Sequence, residues 1–239
     1  MSSPMVFQRY EIKYLLTREQ KDAILSAMVP HMEPDSFGRS TIRNLYYDTD
    51  NYRLVRRSLE RPLYKEKLRV RSYYTAKPDD EVFIEVKKKY NSVVFKRRTG
   101  IREKDAADYL AGRLPAPNQC QITDEIDYFR QFYQTLAPRV FLSYEREAFF
   151  EKGNSSFRVT FDENILWRTA DLSLEAGIYG ENILKPGQTL MELKTAGSIP
   201  LWMVDILTGQ RIQRTSFSKY GSVYTTMLIR EKEEEEAYA

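Results

Sequence analysis

One cysteine, Cys120, and one histidine, His31, stand in a chain of 239 residues. A lone thiol cannot close an intramolecular disulfide, so no covalent staple supports the fold and a reducing, cytoplasmic setting is expected. Cys120 lies in a Pro/Asn/Gln-rich stretch and reads as a spare thiol, not a nucleophile. A single imidazole excludes histidine triads and His-rich zinc sites, and His31 reads as a surface or capping residue. Any metal must then be held by carboxylates, which suits Mg²⁺ or Mn²⁺ bound partly through phosphate. Also absent are GxxxxGK[ST], GxGxxG, CxxC pairs and HExxH, which removes the familiar nucleotide-loop and zinc readings. No run approaches the ~20 apolar residues of a membrane span and no signal segment opens the chain, so a soluble protein is expected. Charge of neither sign dominates: 37 Lys+Arg face 34 Asp+Glu, for a net +3. Bulk attraction to nucleic acid is therefore not demanded, and the basic residues matter by position.

What the chain does have is one alternation, repeated. Lys65, Lys67, Arg69 and Arg71 recur at every second residue with Leu68 and Val70 between them. Side chains of a strand alternate between its faces, so one face here is a row of cations. Phe83, Glu85, Lys87 and Lys89 repeat the pattern against Val82, Ile84 and Val86. So do Arg9, Glu11 and Lys13, then Tyr144 with Arg146, Arg158 with Thr160 and Asp162, and Glu192 with Lys194. One basic strand face is ordinarily just solvated, but several in one chain suggest a shared lumen. If the strands close with their apolar faces outward under helices, the charged faces line an interior. Cations packed in that way need a polyanion, water and some carboxylates.

In chain order, a strand is expected over 6–16. Thr17-Arg18-Glu19-Gln20 then offers a capping-box start for a helix to about Met28. Strands follow over 40–47, 64–74, 81–90 and 93–99, the last three as a meander, with a short helix from Tyr52 to Ser58. Helices are expected over 103–112, ended by Gly112, and over 124–136, with Ile126, Phe129, Phe132, Tyr133 and Leu136 as core. A hairpin of strands 139–150 and 156–163 turns at 152–155, residues 165–174 add a strand or connection, and Leu190–Lys194 closes the strand list. Pro200–Leu207 is a short covering helix. Ser216 or Ser218 caps a last helix to about Lys232, which would bring free backbone N–H groups and Lys219 toward an anion. Residues 231–239 are an acidic extension. The reading is one α+β domain over 1–239, a closed antiparallel barrel of about eight strands forming a tunnel covered by helices.

Eight ordered segments carry a family resemblance: Arg9 to Tyr14, Tyr46-Tyr47-Asp48-Thr49, Lys67 to Arg71, Phe83 to Lys87, Ser143 to Arg146, Arg158 to Asp162, Glu192-Leu193-Lys194 and Ser216 to Tyr220. Together they resemble the VTC domain, the polyphosphate polymerase domain of the vacuolar transporter chaperone complex, within the triphosphate tunnel metalloenzyme superfamily. The resemblance implies a basic tunnel in which a nucleoside triphosphate gives its γ-phosphate to a growing polyphosphate chain, helped by Mn²⁺ or Mg²⁺. By position it gives Arg69, Arg71, Lys87, Arg146 and Arg158 the catalytic role. It sets Lys13, Lys96, Tyr144, Ser218 and Lys219 at the phosphates and Glu192 at the metal, and Arg9, on the same face as Lys13, is read as a further phosphate-binding cation. Glu11 and Glu85 either assist Glu192 or pair neighbouring cations. Local register decides among Lys96, Arg97 and Arg98.

Related tunnel phosphatases open with Glu-x-Glu-x-Lys, whereas Arg9 stands here in place of the first glutamate. One carboxylate fewer weakens a two-metal hydrolase arrangement and favours binding a longer phosphate chain. The expected partners are a nucleoside triphosphate and polyphosphate or triphosphate, with no nucleic acid and no membrane span. Two alternatives stay open: a metal-dependent tripolyphosphatase, and a non-catalytic polyphosphate-binding module. An RNA-binding reading would need aromatics interleaved on the basic face, and apart from Tyr144 and Phe83 they fall mostly opposite.

Overall fold

The computed structural model describes residues 10–91 and 93–237. Its strands are β1 Tyr10–Leu16, β2 Met32–Pro34, β3 Ser40–Asp48, β4 Tyr64–Ser72, β5 Glu81–Tyr90, β6 Val93–Arg102, β7 Ala137–Glu151, β8 Asn154–Arg168, β9 Glu181–Asn182, β10 Thr189–Thr195 and β11 Arg214–Thr215. Its helices are α1 Arg18–Met28, α2 Arg53–Leu59, α3 Glu103–Leu110, α4 Gln121–Tyr133, α5 Leu201–Gly209 and α6 Lys219–Ala237. All strands join one 11-stranded sheet in the order β11-β1-β10-β8-β7-β3-β4-β5-β6, with β2 on β7 and β9 on β8. Every pairing is antiparallel, the β4-β5-β6 meander included. Among the described residues, no helix is long and apolar enough to cross a membrane.

Two expectations about the sheet need correction. It holds eleven strands where about eight were expected, because β2, β9 and β11 are two or three residues long and show no period. Nor is it a closed barrel: among the described residues β6 pairs only with β5, and β11 only with β1. The sheet curls instead, until Lys87 of β5 reaches Glu11 of β1 at 2.6 Å through side chains alone.

Alternation sorts the two faces as strand geometry requires. Leu68, Val70, Val82, Ile84 and Val86 are fully buried on the convex face against Ala106, Tyr109 and Leu110 of α3 and Ile126 and Phe129 of α4. The other convex core sets Tyr14, Leu16, Val159, Phe161, Met191 and Leu193 against α1 and α5. On the concave face, Tyr220, Val223 and Tyr224 of α6 pack on Tyr46, Val140, Leu142, Ile165 and Leu190, so α6 stops one end of the hollow with an apolar plug.

The capping box predicted for α1 is present, with Thr17 Oγ1 accepting from Gln20 N and Gln20 Oε1 accepting from Thr17 N. Gly112 takes φ +77° just past α3. In α4, Ile126, Phe129 and Tyr133 are core, but Phe132 is exposed and Leu136 lies beyond the helix, only partly buried. Ile165 belongs to β8, which runs on to Arg168, and the acidic tail continues α6. His31 stacks on Trp202 with centroids 4.6 Å apart. Asp48 links three elements. Fully buried, it accepts from the backbone N–H groups of Leu54 and Val55 in α2 and from the Tyr220 hydroxyl of α6.

Candidate functional site

The concave face gathers the cationic rows into one basin. Arg69 and Arg71 project from β4. Arg69 donates from Nε to Glu85 Oε2 at 2.8 Å and from Nη1 to Tyr46 Oη at 3.1 Å. Arg71 donates from Nε to Asn44 Oδ1 at 2.9 Å and from Nη2 to Tyr144 Oη at 3.0 Å. Glu85 is buried between cations, with Lys96 Nζ at 2.6 Å from Oε1, an ion pair that lacks hydrogen-bond alignment. Burial alone would raise the Glu85 carboxyl, but Arg69, Arg71 and Lys96 outweigh it and hold the group at about 2. Lys67, two residues before Arg69, donates to Ser218 Oγ at 3.0 Å, and burial lowers its ammonium to about 8. Burial lowers Lys96 to about 8 as well, against the pull of Glu85.

A second group forms where β7, β8 and the start of α6 meet. Asp162 is fully buried and receives Arg146 Nε on Oδ1 at 2.6 Å, Arg146 Nη2 on Oδ2 at 2.7 Å and Lys219 Nζ at 2.5 Å. Arg146 and Lys219 both lie over the Tyr144 ring, at 5.0 and 4.4 Å from its centroid. Ser218 caps α6 by accepting from Gly221 N at 3.1 Å. The capped helix start thus brings Ser218 to Lys67, while Lys219, expected near an anion, is held by the Asp162 carboxylate.

The third group lies on β1 and β10, where Lys13 stands opposite Glu192 and Glu11 opposite Lys194. Lys13 Nζ donates to Phe217 O at 2.9 Å, and burial lowers its pKa. Glu192 is buried and receives no hydrogen bond among the described residues; its nearest charged atom is Lys194 Nζ at 3.8 Å. Burial opposes its ionisation, yet Lys194, Lys13 and Arg146 keep it well below the carboxylate range. Of the three carboxylates expected at a metal, Glu11 is taken by Lys87 and Glu85 by Arg69 and Lys96. Among the described residues, no cluster of three or more His, Cys, Asp or Glu side chains could hold a metal ion. The donor set therefore fits only a cation that takes one carboxylate, Glu192, and draws its other ligands from phosphate and water.

Two expected residues stand apart. Arg158 shares the face of Thr160 and Asp162 but lies at the rim, 46% exposed and paired with Asp35 at 2.8 Å. Arg9 lies outside the described residues. Register narrows the β6 choice to two: Lys96 and Arg98 stand opposite Lys87 and Glu85, whereas Arg97 faces outward to Glu125 at 3.2 Å. Sequence reasoning missed Asn44, Tyr46 and Asp162 as members of the basin. Asp162 sat in the right alternation with Arg158 and was legible, whereas Asn44 and Tyr46 belong to a strand face without a cation.

In the first two groups the cations outnumber the carboxylates, in the third they balance until Lys87 of β5 joins Glu11, and most of these side chains are withdrawn from bulk solvent. Such a surface can bind and align a chain of phosphates and neutralise charge on it.

A family model described as the VTC domain matches residues 8–228. No curated protein matches the chain significantly. Among solved structures, a candidate adenylate cyclase of Bacillus halodurans superposes with a TM-score of 0.53 at 14% identity, covering 88% of this chain and 95% of that one. A candidate adenylate cyclase of Vibrio parahaemolyticus gives 0.46 at 12% identity, over 90% of this chain and 98% of that one. A Mimivirus capping-enzyme triphosphatase gives 0.36 at 10%, over 82% and 84%. The first of these is a likeness of fold.

Proposed function

The chain belongs to the VTC domain family, and from that premise we propose that it is a polyphosphate polymerase-like phosphotransferase. It moves the γ-phosphate of a nucleoside triphosphate onto a polyphosphate chain lying along the concave face. One observation carries the reading: Arg69 and Arg71 are withdrawn from solvent side by side, and each is already tied to fixed partners. Phosphoryl transfer asks a protein for alignment and charge neutralisation more than for covalent chemistry. Arg69, Arg71 and Arg146 grip phosphate oxygens, while Lys13, Lys67, Lys87, Lys96 and Lys219 act as point charges. A terminal oxygen of the polyphosphate attacks the γ-phosphorus as the bond to the β-bridging oxygen breaks, and the nucleoside diphosphate leaves. Glu192 would hold Mn²⁺ or Mg²⁺, which would supply further neutralisation of phosphate charge when bound.

A hydrolase with two metals needs more free carboxylate than the basin offers, since Glu11 is paired with Lys87 and Glu85 with Arg69 and Lys96. The test is purified protein with radiolabelled ATP and Mn²⁺ or Mg²⁺, resolved on a gel. Lengthening polyphosphate is the expected product. Orthophosphate released from tripolyphosphate without chain growth would replace this reading with a tripolyphosphatase. Binding without turnover under any metal would leave a polyphosphate-binding module.

A further inference from the structure

β3 contributes no cation to the basin, yet two of its side chains stand in register with the two arginines of β4: Asn44 opposite Arg71 and Tyr46 opposite Arg69. Each pair is bonded, Arg71 Nε to Asn44 Oδ1 at 2.9 Å and Arg69 Nη1 to Tyr46 Oη at 3.1 Å. The holders are themselves held. Asn44 is fully buried and its amide nitrogen donates to Leu142 O at 3.0 Å, which fixes which end of the amide faces Arg71. The Tyr46 ring stacks on Tyr220 at 4.7 Å, and Tyr220 donates to Asp48 Oδ2 at 2.9 Å. Glu85 holds the Nε side of Arg69 and Tyr144 the second contact of Arg71, so both guanidiniums are clamped from two directions.

Freezing an arginine side chain is opposed by much rotamer entropy, and a guanidinium ordered before the ligand arrives spares binding that cost. We infer that Asn44 and Tyr46 are positioning residues that aim Arg71 and Arg69 at the phosphate chain. This rests on the polyphosphate reading of the basin. Neither residue needs to touch the ligand; each acts through the arginine opposite it.

A double-mutant cycle separates that role from a structural one. Tripolyphosphate is titrated calorimetrically at pH 6, where most of the Tyr46 phenol keeps its proton, into the parent chain, Tyr46→Phe, Arg69→Ala and the double variant, with a thermal melt of each. Tyr46→Phe keeps the stacked ring and removes the hydroxyl. It should weaken binding on the order of tenfold, the scale of one hydrogen bond to a charged group, and add little in the Arg69→Ala background. Asn44→Ser, too short to reach Arg71, should behave alike against Arg71→Ala. If the Asn44 variant does not fold, the Tyr46 cycle decides alone. Equal affinity of Tyr46→Phe and parent, or an undiminished loss without Arg69, would overturn the positioning role while leaving the polyphosphate reading intact. A parent that binds no tripolyphosphate would remove that reading and this inference with it.

Discussion

Lys87 Nζ and Glu11 Oε2 meet at 2.6 Å although β5 and β1 lie near opposite ends of the strand order. Backbone pairing does not bring them together, so the curl of the sheet is joined there by charge. The same contact neutralises a cation that would otherwise face the ligand. Glu11→Gln should therefore raise tripolyphosphate affinity several-fold and steepen its loss with salt. Stability should change by less than about 1 kcal/mol, since both side chains keep water, at 35% and 21% exposure. Calorimetric titration at two salt concentrations and a thermal melt check this. A weaker affinity, or a Tm lower by more than about 4 °C, would make the pair a clasp for the fold.

Depth in the basin, and not membership of the basic face, should rank the arginines. Arg69→Ala removes a clamped guanidinium and is expected to weaken tripolyphosphate binding on the order of a hundredfold. Arg158→Ala removes a rim residue already paired with Asp35, for less than about threefold. Similar losses from the two, measured by the same titration, would extend the binding surface to the rim.

That ranking shows where the sequence was legible. Period-two alternation in Lys65 to Arg71 and Val82 to Lys89 identified β4, β5 and their charged face, because burial of Leu68, Val70, Val82, Ile84 and Val86 leaves the other face no choice. Alternation gives the face but not the depth, so Arg158 and Arg69 looked alike. It also leaves pairing unstated: Glu85 suited a metal and a neighbouring cation equally until the side chains of Arg69 and Lys96 were found against it. On β3 the concave face reads Ile42, Asn44, Tyr46 and Asp48, with no cation to attract notice. Phe132 had helical spacing but stands on the solvent side of α4. The missing barrel closure belongs to the same class, since curl is a sum of long-range contacts that no local period encodes.

Rising pH should weaken the grip on polyanions. Lys67 and Lys96 are lowered to about 8 by burial, so both lose positive charge between pH 7 and 9. Burial would raise the Tyr46 phenol, but Arg69, Lys67 and Arg71 outweigh it and bring the group to about 7, adding negative charge over the same range. All three changes repel phosphate. The ligand's own last ionisation runs the other way, so the comparison is between proteins at each pH. Lys67→Arg keeps its charge and should lose less affinity than the parent from pH 7 to 9. Parallel profiles for the two proteins would show that Lys67 is not among the groups that titrate against the ligand.

Acid should act on stability through Asp162. Its carboxyl sits at about 2 against a reference of 3.8, because Arg146 and Lys219 outweigh the opposing effect of burial. Between pH 4 and 2 the unfolded chain binds a proton there that the native protein does not, so stability falls as pH falls through that window. The difference is worth about 2 kcal/mol at neutral pH, and Glu85, held at about 2 against a reference of 4.5, adds a comparable loss from about pH 4.5 downward. Asp162→Asn takes the Asp162 contribution out of the acid limb. It also leaves Arg146 and Lys219 against a neutral amide, which should destabilise the protein by about 3 to 5 kcal/mol at pH 7. The melt of the variant should start lower and slope less from pH 4 to 2. Lys219 is the first residue of α6, so the same substitution should loosen the helix start, read as faster hydrogen exchange at Gly221 and Ser222. A variant that melts like the parent at pH 7, with the same acid slope, would mean that Arg146 and Lys219 are held by something other than this carboxylate.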